Sequence, residues 1–162
     1  MGKTTVVRRL AELLRGARLT VAGFTTEELR EGRARVGFAV ETFAGERAIL
    51  AHVDLPGPPR VGKYGVDVPA FERVALPALA TANEADVVLV DEVGKMELAS
   101  ERFRSAVVQL FDTEAAIVAT VQRARHPLTD QLKRRTDVET VAVTHANRGD
   151  LAAQLASRLL AR

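Results

Sequence analysis

The feature that most constrains the fold is an apolar run, VVLV within residues 85–90, that ends in the adjacent carboxylates Asp91 and Glu92. So short and apolar a run is typical of a central parallel strand that is buried on both faces. Open α/β sheets bind ligands at the carboxyl ends of their strands, so the two carboxylates are candidate site residues. A solvated acidic turn after an ordinary strand is the alternative.

Helical and strand patterns alternate along the rest of the chain, which indicates an α/β domain. Strands are predicted at residues 19–24, 115–121 and 138–143. Helices are predicted at residues 6–14 with Gly16 as the stop, at 70–84 with a kink or split at Pro77, after Ser100 as N-cap, at 127–135, and after Asn147 as a further cap. Two alternating segments, 35–42 and 48–53, form a β-hairpin inserted at about residues 33–53. We expect one domain over residues 1–162, with a mainly parallel sheet flanked by helices.

Composition excludes several functional classes. The 162 residues contain no cysteine, which rules out disulfide scaffolds, thiolate metal sites and cysteine nucleophiles. The net charge of +2 and the 4% aromatic content argue against nucleic-acid binding. The sequence has no membrane-length apolar run and no apolar signal-peptide core, so we expect a cytoplasmic protein. We also expect a monomer. The three histidines, His52, His126 and His145, lack metal-ligand spacing.

The segment Gly2-Lys3-Thr4-Thr5 opens the first amphipathic helix and matches the second half of a phosphate-binding P-loop. A helix N-terminus attracts anions through its free N–H groups and its dipole. Lys3 would reach the β- and γ-phosphates, the Thr4 hydroxyl would ligate Mg²⁺, and Thr5 would donate to the α-phosphate. The motif is short, and by residue usage it occurs by chance in roughly one chain in ten of this size.

Asp91 and Glu92 fit a Walker B segment, with Asp91 holding Mg²⁺ through water. Glu92 would orient and deprotonate the attacking water. The order of the two motifs, with a full α/β unit between them, makes each support the other. Together they predict phosphate chemistry.

Two further loops carry candidate residues. Arg60 and Lys63 lie on a glycine-containing loop and suit an arginine-finger-like or phosphate-steering role, or are ordinary surface charges. The segment Gly94-Lys95-Met96-Glu97 follows the carboxylates and forms part of the nucleotide cradle, or is only a turn into the next helix.

Asn147 and Arg148 follow the last predicted strand. Loops at this sheet edge commonly read the base in P-loop proteins, so these side chains are candidates to hydrogen-bond or stack on it. Capping of the last helix by Asn147 is the alternative, and both roles are compatible.

Six segments together resemble the cancer-related nucleoside-triphosphatase family: GKTT, GFTTEELREGRARVGF, AHVD, RVGKYGV, DEVGKMEL and THANR. RVGKYGV and DEVGKMEL are far more specific than a bare Walker motif. The resemblance implies a RecA-like P-loop NTPase fold with an added hairpin. It also implies slow, Mg²⁺-dependent hydrolysis of several nucleoside triphosphates, ATP and GTP among them, to diphosphate and phosphate.

The resemblance carries site residues with it. The phosphate loop is matched by Gly2, Lys3, Thr4 and Thr5, the second nucleotide-contacting segment by Asp91, Glu92, Gly94 and Lys95, and a family signature by Arg60 and Lys63.

Two rivals to a hydrolase remain. A nucleotide or small-molecule kinase has the same loop but transfers phosphate to an acceptor, whereas the Asp91-Glu92 pair favours activation of water. A non-enzymatic nucleotide-binding module, or an inactive fragment, is the second rival.

The start of the sequence carries one more expectation. The family's first strand and the first half of its phosphate loop have no counterpart here, so we expect the natural protein to begin upstream, with Met1 an internal GTG valine codon. The upstream DNA would then encode an apolar strand of about five or six residues and a G-x-x-G. The chain as written is expected to be unstable and to bind nucleotide poorly.

Overall fold

The computed structural model describes residues 2–162, so the interpretation of Met1 lies outside the described residues. The described residues form five α-helices and seven β-strands. In chain order these are α1 (Lys3–Gly16), β1 (Val21–Glu31), β2 (Ala34–Thr42), β3 (Arg47–His52), β4 (Arg60–Val61), β5 (Tyr64–Val66), α2 (Val68–Ala80), β6 (Val87–Val93), α3 (Glu101–Phe111), β7 (Ala116–Val121), α4 (Pro127–Lys133) and α5 (Leu151–Leu160). None of these helices is both long and apolar enough to cross a membrane.

The seven strands form one sheet in the order β4-β5-β3-β2-β1-β6-β7. The strands β1, β6 and β7 run parallel, whereas the pairs from β1 outward to β4 are antiparallel. The predicted α/β class is confirmed. The sheet is mixed because its antiparallel part is longer than the sequence indicated.

Strand β1 accounts for much of that difference. It was predicted to end at residue 24 but runs on to Glu31, and this extension pairs with β2 alone. The extension is polar and shows no apolar alternation, so its sequence does not resemble a strand. Ion pairs across the sheet stabilise it instead, such as that between Glu27 and Arg47, and the pKa of the Glu27 carboxyl is held below its usual range chiefly by this guanidinium.

The predicted hairpin at about residues 33–53 is confirmed as the antiparallel pair β2–β3. The Thr42 N–H donates to Glu46 O at 2.8 Å and closes the turn. Within that turn Gly45 has a φ of 98°, a conformation that other residues adopt only with strain. The residue types in the turn and the alternation along the two strands therefore both indicate the hairpin that is observed.

The ends of two helices test the predicted caps. The Phe103 N–H donates to Ser100 Oγ at 3.0 Å, which confirms Ser100 as the N-cap of α3. Helix α2 ends at Ala80, soon after Pro77, and the remainder of the predicted helix is a separate 3-10 turn. Pro77 lies inside α2 and does not itself divide it, because the helix continues for three more residues to Ala80.

Asn147 does not cap α5, and that prediction was wrong. Asp150 is the residue before the helix, and no side chain accepts a capping hydrogen bond there. The Asn147 side chain instead accepts from the Thr144 N–H at 2.8 Å and donates to Ala142 O at 2.7 Å. It closes the turn that precedes the helix.

Each face of the sheet packs against helices. On one face Phe24, Phe71 and Phe103 contact one another edge to face, with ring centroids 5.0–5.9 Å apart. On the other face α1 and α5 cover β6 and β7, and α1 contributes Leu10 and Leu14, which are fully buried. The apolar face of α1 therefore packs against the apolar run of β6, as the two sequence patterns indicate.

Strand β7 is the last strand of the sheet, and each of its residues is only half-buried. Residues 138–143, predicted as a further strand, form no strand, and Val141 is 40% exposed. Three valines among these six residues are typical of a strand. A strand also needs a neighbour with which to exchange backbone hydrogen bonds. Residues 2–162 provide no such neighbour beyond β7.

The opposite edge of the sheet contains Tyr64, the one tyrosine of the sequence. Its hydroxyl accepts a hydrogen bond from Arg35 Nε at 3.0 Å, and its ring packs edge-on against Phe38 at 5.4 Å. The residue is 6% exposed. This contact ties β5 to the β2 strand of the hairpin.

Candidate functional site

The first turn of α1 lies at the carboxyl ends of β6 and β7. Gly2 precedes the helix with a φ of 87°, a left-handed conformation suited to glycine. A β-carbon added to Gly2 would lie 3.6 Å from Arg148 Cδ and 3.9 Å from Val143 Cγ1. The helix N-terminus, with its free N–H groups, thus shares one sheet edge with the two carboxylates and with Arg148.

Lys3 joins the helix to both strands. Its Nζ lies 2.9 Å from Glu92 Oε2 and 2.8 Å from Val121 O, and it donates a hydrogen bond to each. The side chains of Lys3 and Glu92 are 28% and 34% exposed, so solvent screens this ion pair only in part. A phosphate that binds Lys3 therefore competes with Glu92 for the ammonium group.

Asp91 is the buried carboxylate of the pair, 1% exposed. It accepts hydrogen bonds from Thr4 Oγ1 at 2.8 Å and from Thr120 Oγ1 at 2.7 Å. Burial raises the pKa of the Asp91 carboxyl, although these bonds and one from the Thr26 backbone oppose the shift. We call Lys3, Thr4, Asp91 and Glu92 the central cluster.

Glu97 is a third carboxyl beside the central cluster. It lies in the 3-10 turn Glu97–Ala99 and is 4% exposed. Burial raises its pKa to about 8, and the nearby charges of Glu92 and Asp91 add to the shift, while hydrogen bonds from the backbone N–H groups of Glu97 and Gly94 oppose it. Glu97 is therefore largely protonated at neutral pH.

The turn after β6 contains Gly94 and Lys95. A β-carbon at Gly94 would come within 2.8 Å of Glu92 Oε1, closer than real β-carbon contacts. Gly94 thus leaves space for the Glu92 carboxylate in its present orientation. Lys95, one residue further, is exposed.

The remaining predicted residues at this edge differ in availability. Thr5 is exposed on the first turn of α1, and Arg148 is exposed near Gly2. Asn147 uses its side chain within the preceding turn. The sheet edge therefore brings Arg148 close to the central cluster, while Asn147 is engaged locally.

Arg60 and Lys63 are not brought to the central cluster. They lie at β4 and β5, and three strands, β3, β2 and β1, separate β5 from β6. Four strand spacings of about 4.8 Å amount to roughly 19 Å along the sheet. The Arg60 guanidinium donates to Leu55 O at 3.1 Å and to Lys63 O at 2.8 Å, so it holds its own loop together.

Sequence reasoning missed Thr120 and the burial of Glu97. Thr120 stands near the end of a predicted strand, and a hydroxyl at that position, one strand away from Asp91, was an available signal. Glu97 was predicted only as one residue of the candidate segment Gly94–Glu97, because a carboxyl in a short turn is ordinarily solvated. Only the fold shows that this turn is buried.

Oxygen ligands for a metal ion are present in the central cluster. The Thr4 hydroxyl and the Asp91 carboxylate, predicted to bind Mg²⁺, are in contact, and Mg²⁺ prefers such oxygens together with substrate phosphates. Within residues 2–162, no three His, Asp or Glu side chains form a metal cluster by themselves. The donor set fits a metal that is bound together with phosphate.

The family and the relatives that resemble this sequence are named for the same activity. A family described as NTPase matches residues 1–156. The nucleoside-triphosphatase THEP1 of Thermotoga maritima is 42% identical over 160 residues, which cover 98% of this chain and 90% of the relative. The human cancer-related nucleoside-triphosphatase is 39% identical over 165 residues, which cover 93% of this chain and 87% of the relative.

Solved structures agree with these sequences. The crystal structure of THEP1 from Aquifex aeolicus superimposes with a TM-score of 0.87 at 34% identity, over 98% of this chain and 93% of that one. The solution structure of the human cancer-related nucleoside triphosphatase gives a TM-score of 0.85 at 36% identity, over 99% and 93% of the two chains. With family, relatives and fold in agreement, the chain belongs to the NTPase family that includes THEP1 and the cancer-related nucleoside-triphosphatases.

Proposed function

We propose that this protein hydrolyses nucleoside triphosphates, ATP and GTP among them, to nucleoside diphosphate and phosphate. Membership of the NTPase family and the names of its relatives support this activity. The observation that carries it is the contact of Lys3 and Thr4, at a helix N-terminus, with Asp91 and Glu92, at the end of β6. This arrangement supports the proposal, because the candidate phosphate-binding groups contact a carboxylate able to accept a proton.

The helix N-terminus and Lys3 bind the phosphates in this proposal. Gly2 lets the backbone turn close to the ligand, Thr5 is available to the α-phosphate, and the Lys3 ammonium contacts the β- and γ-phosphates. Thr4 and Asp91 would hold Mg²⁺, which would supply positive charge to offset the charge of the phosphates. The Thr120 hydroxyl fixes the Asp91 carboxylate from its other side.

Glu92 activates the water. Lys3 contacts Glu92 in this structure, and a γ-phosphate that draws the ammonium away leaves the carboxylate available to a water proton. The water oxygen then bonds to the γ-phosphorus, the bond from that phosphorus to the β–γ bridging oxygen breaks, and the proton passes to Glu92. Gly94 leaves the space in which this carboxylate lies.

The other predicted residues keep secondary roles in the proposal. Lys95 extends the cradle beside Gly94, and Arg148, close to Gly2, contacts the base or ribose. Asn147 supports Arg148 through the turn it closes. Arg60 and Lys63 reach phosphate only if the β4–β5 loop moves, and their catalytic assignment stays a prediction.

Transfer of phosphate to a second acceptor, as in a kinase, receives no support from the relatives, which are named nucleoside-triphosphatases. A monomer that acts in the cytoplasm without nucleic acid or membrane also stays a prediction.

Thin-layer analysis of γ-labelled ATP tests the proposal. Free labelled phosphate without an added acceptor is expected, and it should disappear in a Lys3→Met variant. Labelled product that appears only with an added acceptor means a kinase. Unchanged ATP, with nucleotide binding retained, means a binding module.

A further inference from the structure

Arg148 lies beside the helix N-terminus that binds phosphate in the proposed function. A β-carbon added to Gly2 would lie 3.6 Å from Arg148 Cδ, the atom that carries the guanidinium group, so this cation is within reach of a ligand bound at the first turn of α1. The residue is exposed and forms no ion pair within residues 2–162. Its positive charge is therefore available to that ligand.

The turn that precedes Arg148 fixes its position. Asn147 Oδ1 accepts from the Thr144 N–H at 2.8 Å, and the Asn147 N–H donates to Thr144 Oγ1 at 3.2 Å. The Arg148 N–H donates to Thr144 O at 3.0 Å, and Asn147 Nδ2 donates to Ala142 O at 2.7 Å. Both polar atoms of the Asn147 side chain are used inside the turn, so the amide expected to read the base holds Arg148 in place instead.

A nucleotide and an inorganic polyphosphate present different groups to Arg148. In a nucleoside triphosphate, the α-phosphate is esterified and continues into an uncharged ribose and base. In tripolyphosphate the corresponding phosphate ends the chain, so it carries additional negative charge where the nucleoside would be. A guanidinium binds phosphate oxygens through charge-assisted and often bidentate hydrogen bonds. The free end of tripolyphosphate therefore matches Arg148 better than a nucleoside does.

The reaction proposed above does not use the nucleoside. Phosphoryl transfer depends on positioning and on charge stabilisation around the transferred group. Lys3 and Glu92, which act on the terminal phosphate in that proposal, contact each other directly. Binding energy from the nucleoside that is equal in the ground state and the transition state lowers KM without raising kcat. A substrate without a nucleoside is therefore compatible with the same chemistry.

We propose that this site also hydrolyses inorganic tripolyphosphate, with Arg148 bound to the end phosphate that is remote from Glu92. The water oxygen bonds to the phosphorus at the Lys3 end, and the bond from that phosphorus to its bridging oxygen breaks. The bridging oxygen keeps the electron pair and leaves as part of pyrophosphate, while the water proton passes to Glu92. The products are phosphate and pyrophosphate. This inference rests on the hydrolysis proposed above and extends it to a substrate without a nucleoside.

Sodium tripolyphosphate, supplied with Mg²⁺ to the full-length protein, tests the inference. Phosphate and pyrophosphate should appear in equal amounts, with kcat within about threefold of that for ATP, because the reacting groups are the same. Ion chromatography separates and measures the two products. Lys3→Met, purified in the same way, should form neither product, which excludes a contaminating phosphatase.

Arg148→Ala tests whether the guanidinium binds the end phosphate. Its KM for tripolyphosphate should rise about tenfold or more, the contribution of a hydrogen bond to a charged group. Its KM for ATP should rise only about 2–5-fold, the contribution of an exposed cation over a ring. Arg148→Lys keeps the charge and should bring the KM for tripolyphosphate back to within about threefold of wild type. Arg33→Ala, exposed in the turn between β1 and β2, is the control and should change neither KM.

Three results overturn the inference in different ways. Hydrolysis of ATP with tripolyphosphate left intact shows that the nucleoside is required, and the proposed function then stands without the inference. An unchanged KM for tripolyphosphate in Arg148→Ala, or equal increases for the two substrates, removes the assignment of Arg148 to the end phosphate. Failure of the wild-type protein to hydrolyse either substrate rejects the proposed function itself, and the inference with it.

Discussion

Lys3 and the loop that contains Arg60 and Lys63 carry the cations that the sequence assigns to phosphate, yet the sheet places them differently. Lys3 touches Glu92 and Val121, at the ends of two parallel strands. The loop lies beyond the hairpin, where Arg60 bonds to carbonyl oxygens of its own segment. The two regions have similar charges and different partners.

The difference teaches that the role of a cationic motif depends on where the fold places it relative to the ends of the strands. Lys3 follows a glycine and opens a helix at the carboxyl ends of parallel strands, where α/β sheets bind ligands. Arg60 lies in β4 and Lys63 in the turn that joins β4 to β5, two short antiparallel strands whose ends have no such common edge. The variants below compare the two regions directly.

Replacing Lys3 should have the largest effect. Lys3→Met removes the ammonium that balances charge on the transferring phosphate, and turnover should fall about 10³-fold or more. Lys63→Met is the matched variant at the other region, and turnover within about twofold of wild type is expected, given the separation of roughly 19 Å. Steady-state phosphate release measures both. Equal losses in the two variants would mean that the β4–β5 loop reaches the phosphate after all.

Glu92→Gln should reduce turnover by about 10²–10⁴-fold, the usual contribution of a general base. Nucleotide binding should persist and become tighter by up to about fivefold, because a partly exposed ion pair with Lys3 no longer competes with phosphate. Calorimetric titration with a non-hydrolysable analogue measures the affinity. Turnover within about twofold of wild type would remove Glu92 from the mechanism.

Glu97 makes stability near the central cluster depend on pH. Its pKa is raised to about 8 in the folded protein from the ordinary carboxyl value of 4.5, so the folded state binds the proton more tightly than the unfolded state. Its contribution is therefore fully present below about pH 4.5 and is lost as pH rises toward about 8, by at most about 1.4 kcal/mol per pH unit.

Glu97→Gln should remove that slope. Urea unfolding followed by circular dichroism at pH 5.5, 6.5 and 7.5 compares the two proteins. Parallel dependence on pH in wild type and variant would show that Glu97 does not carry the effect.

Arg60→Ala should have the smallest effect, and on stability alone. The loss of two hydrogen bonds at an exposed site should lower the free energy of unfolding by about 0.5–1.5 kcal/mol, with kcat unchanged. Arg33→Ala, exposed in the turn between β1 and β2, is the control. The sequence hypothesis predicts the opposite, a loss of kcat with little change in affinity, so a normal melting temperature with reduced kcat would favour a phosphate-steering role.

Elements that depend on a local sequence pattern were predicted correctly, whereas elements that depend on distant partners were not. The run within β6, the β2–β3 hairpin and the Ser100 cap depend on local patterns, and all three are confirmed. Residues 138–143 have a strand-like pattern but no neighbouring ladder, so that prediction was wrong. The polar half of β1 was missed because its partners lie on β2 and β3, out of reach of a local pattern.

The candidate site shows the same division. Gly2, Lys3, Thr4, Asp91 and Glu92 stand in motifs that can be read along the chain. Thr120 and Glu97 acquire their surroundings only when β7 and the turn after β6 pack beside those motifs. The upstream strand expected before Met1 stays a prediction, which sequencing of the adjoining DNA would decide.

The position of Tyr64 determines what intrinsic fluorescence can report. The sequence has no tryptophan, so this single tyrosine is the only strong intrinsic emitter. It is bonded to Arg35 at the far edge of the sheet, separated from Glu92 by three strands, and its emission should follow detachment of β5 from the hairpin. Nucleotide binding should leave that signal unchanged. Agreement of its unfolding midpoint with circular dichroism would show that both edges of the sheet unfold in one cooperative step.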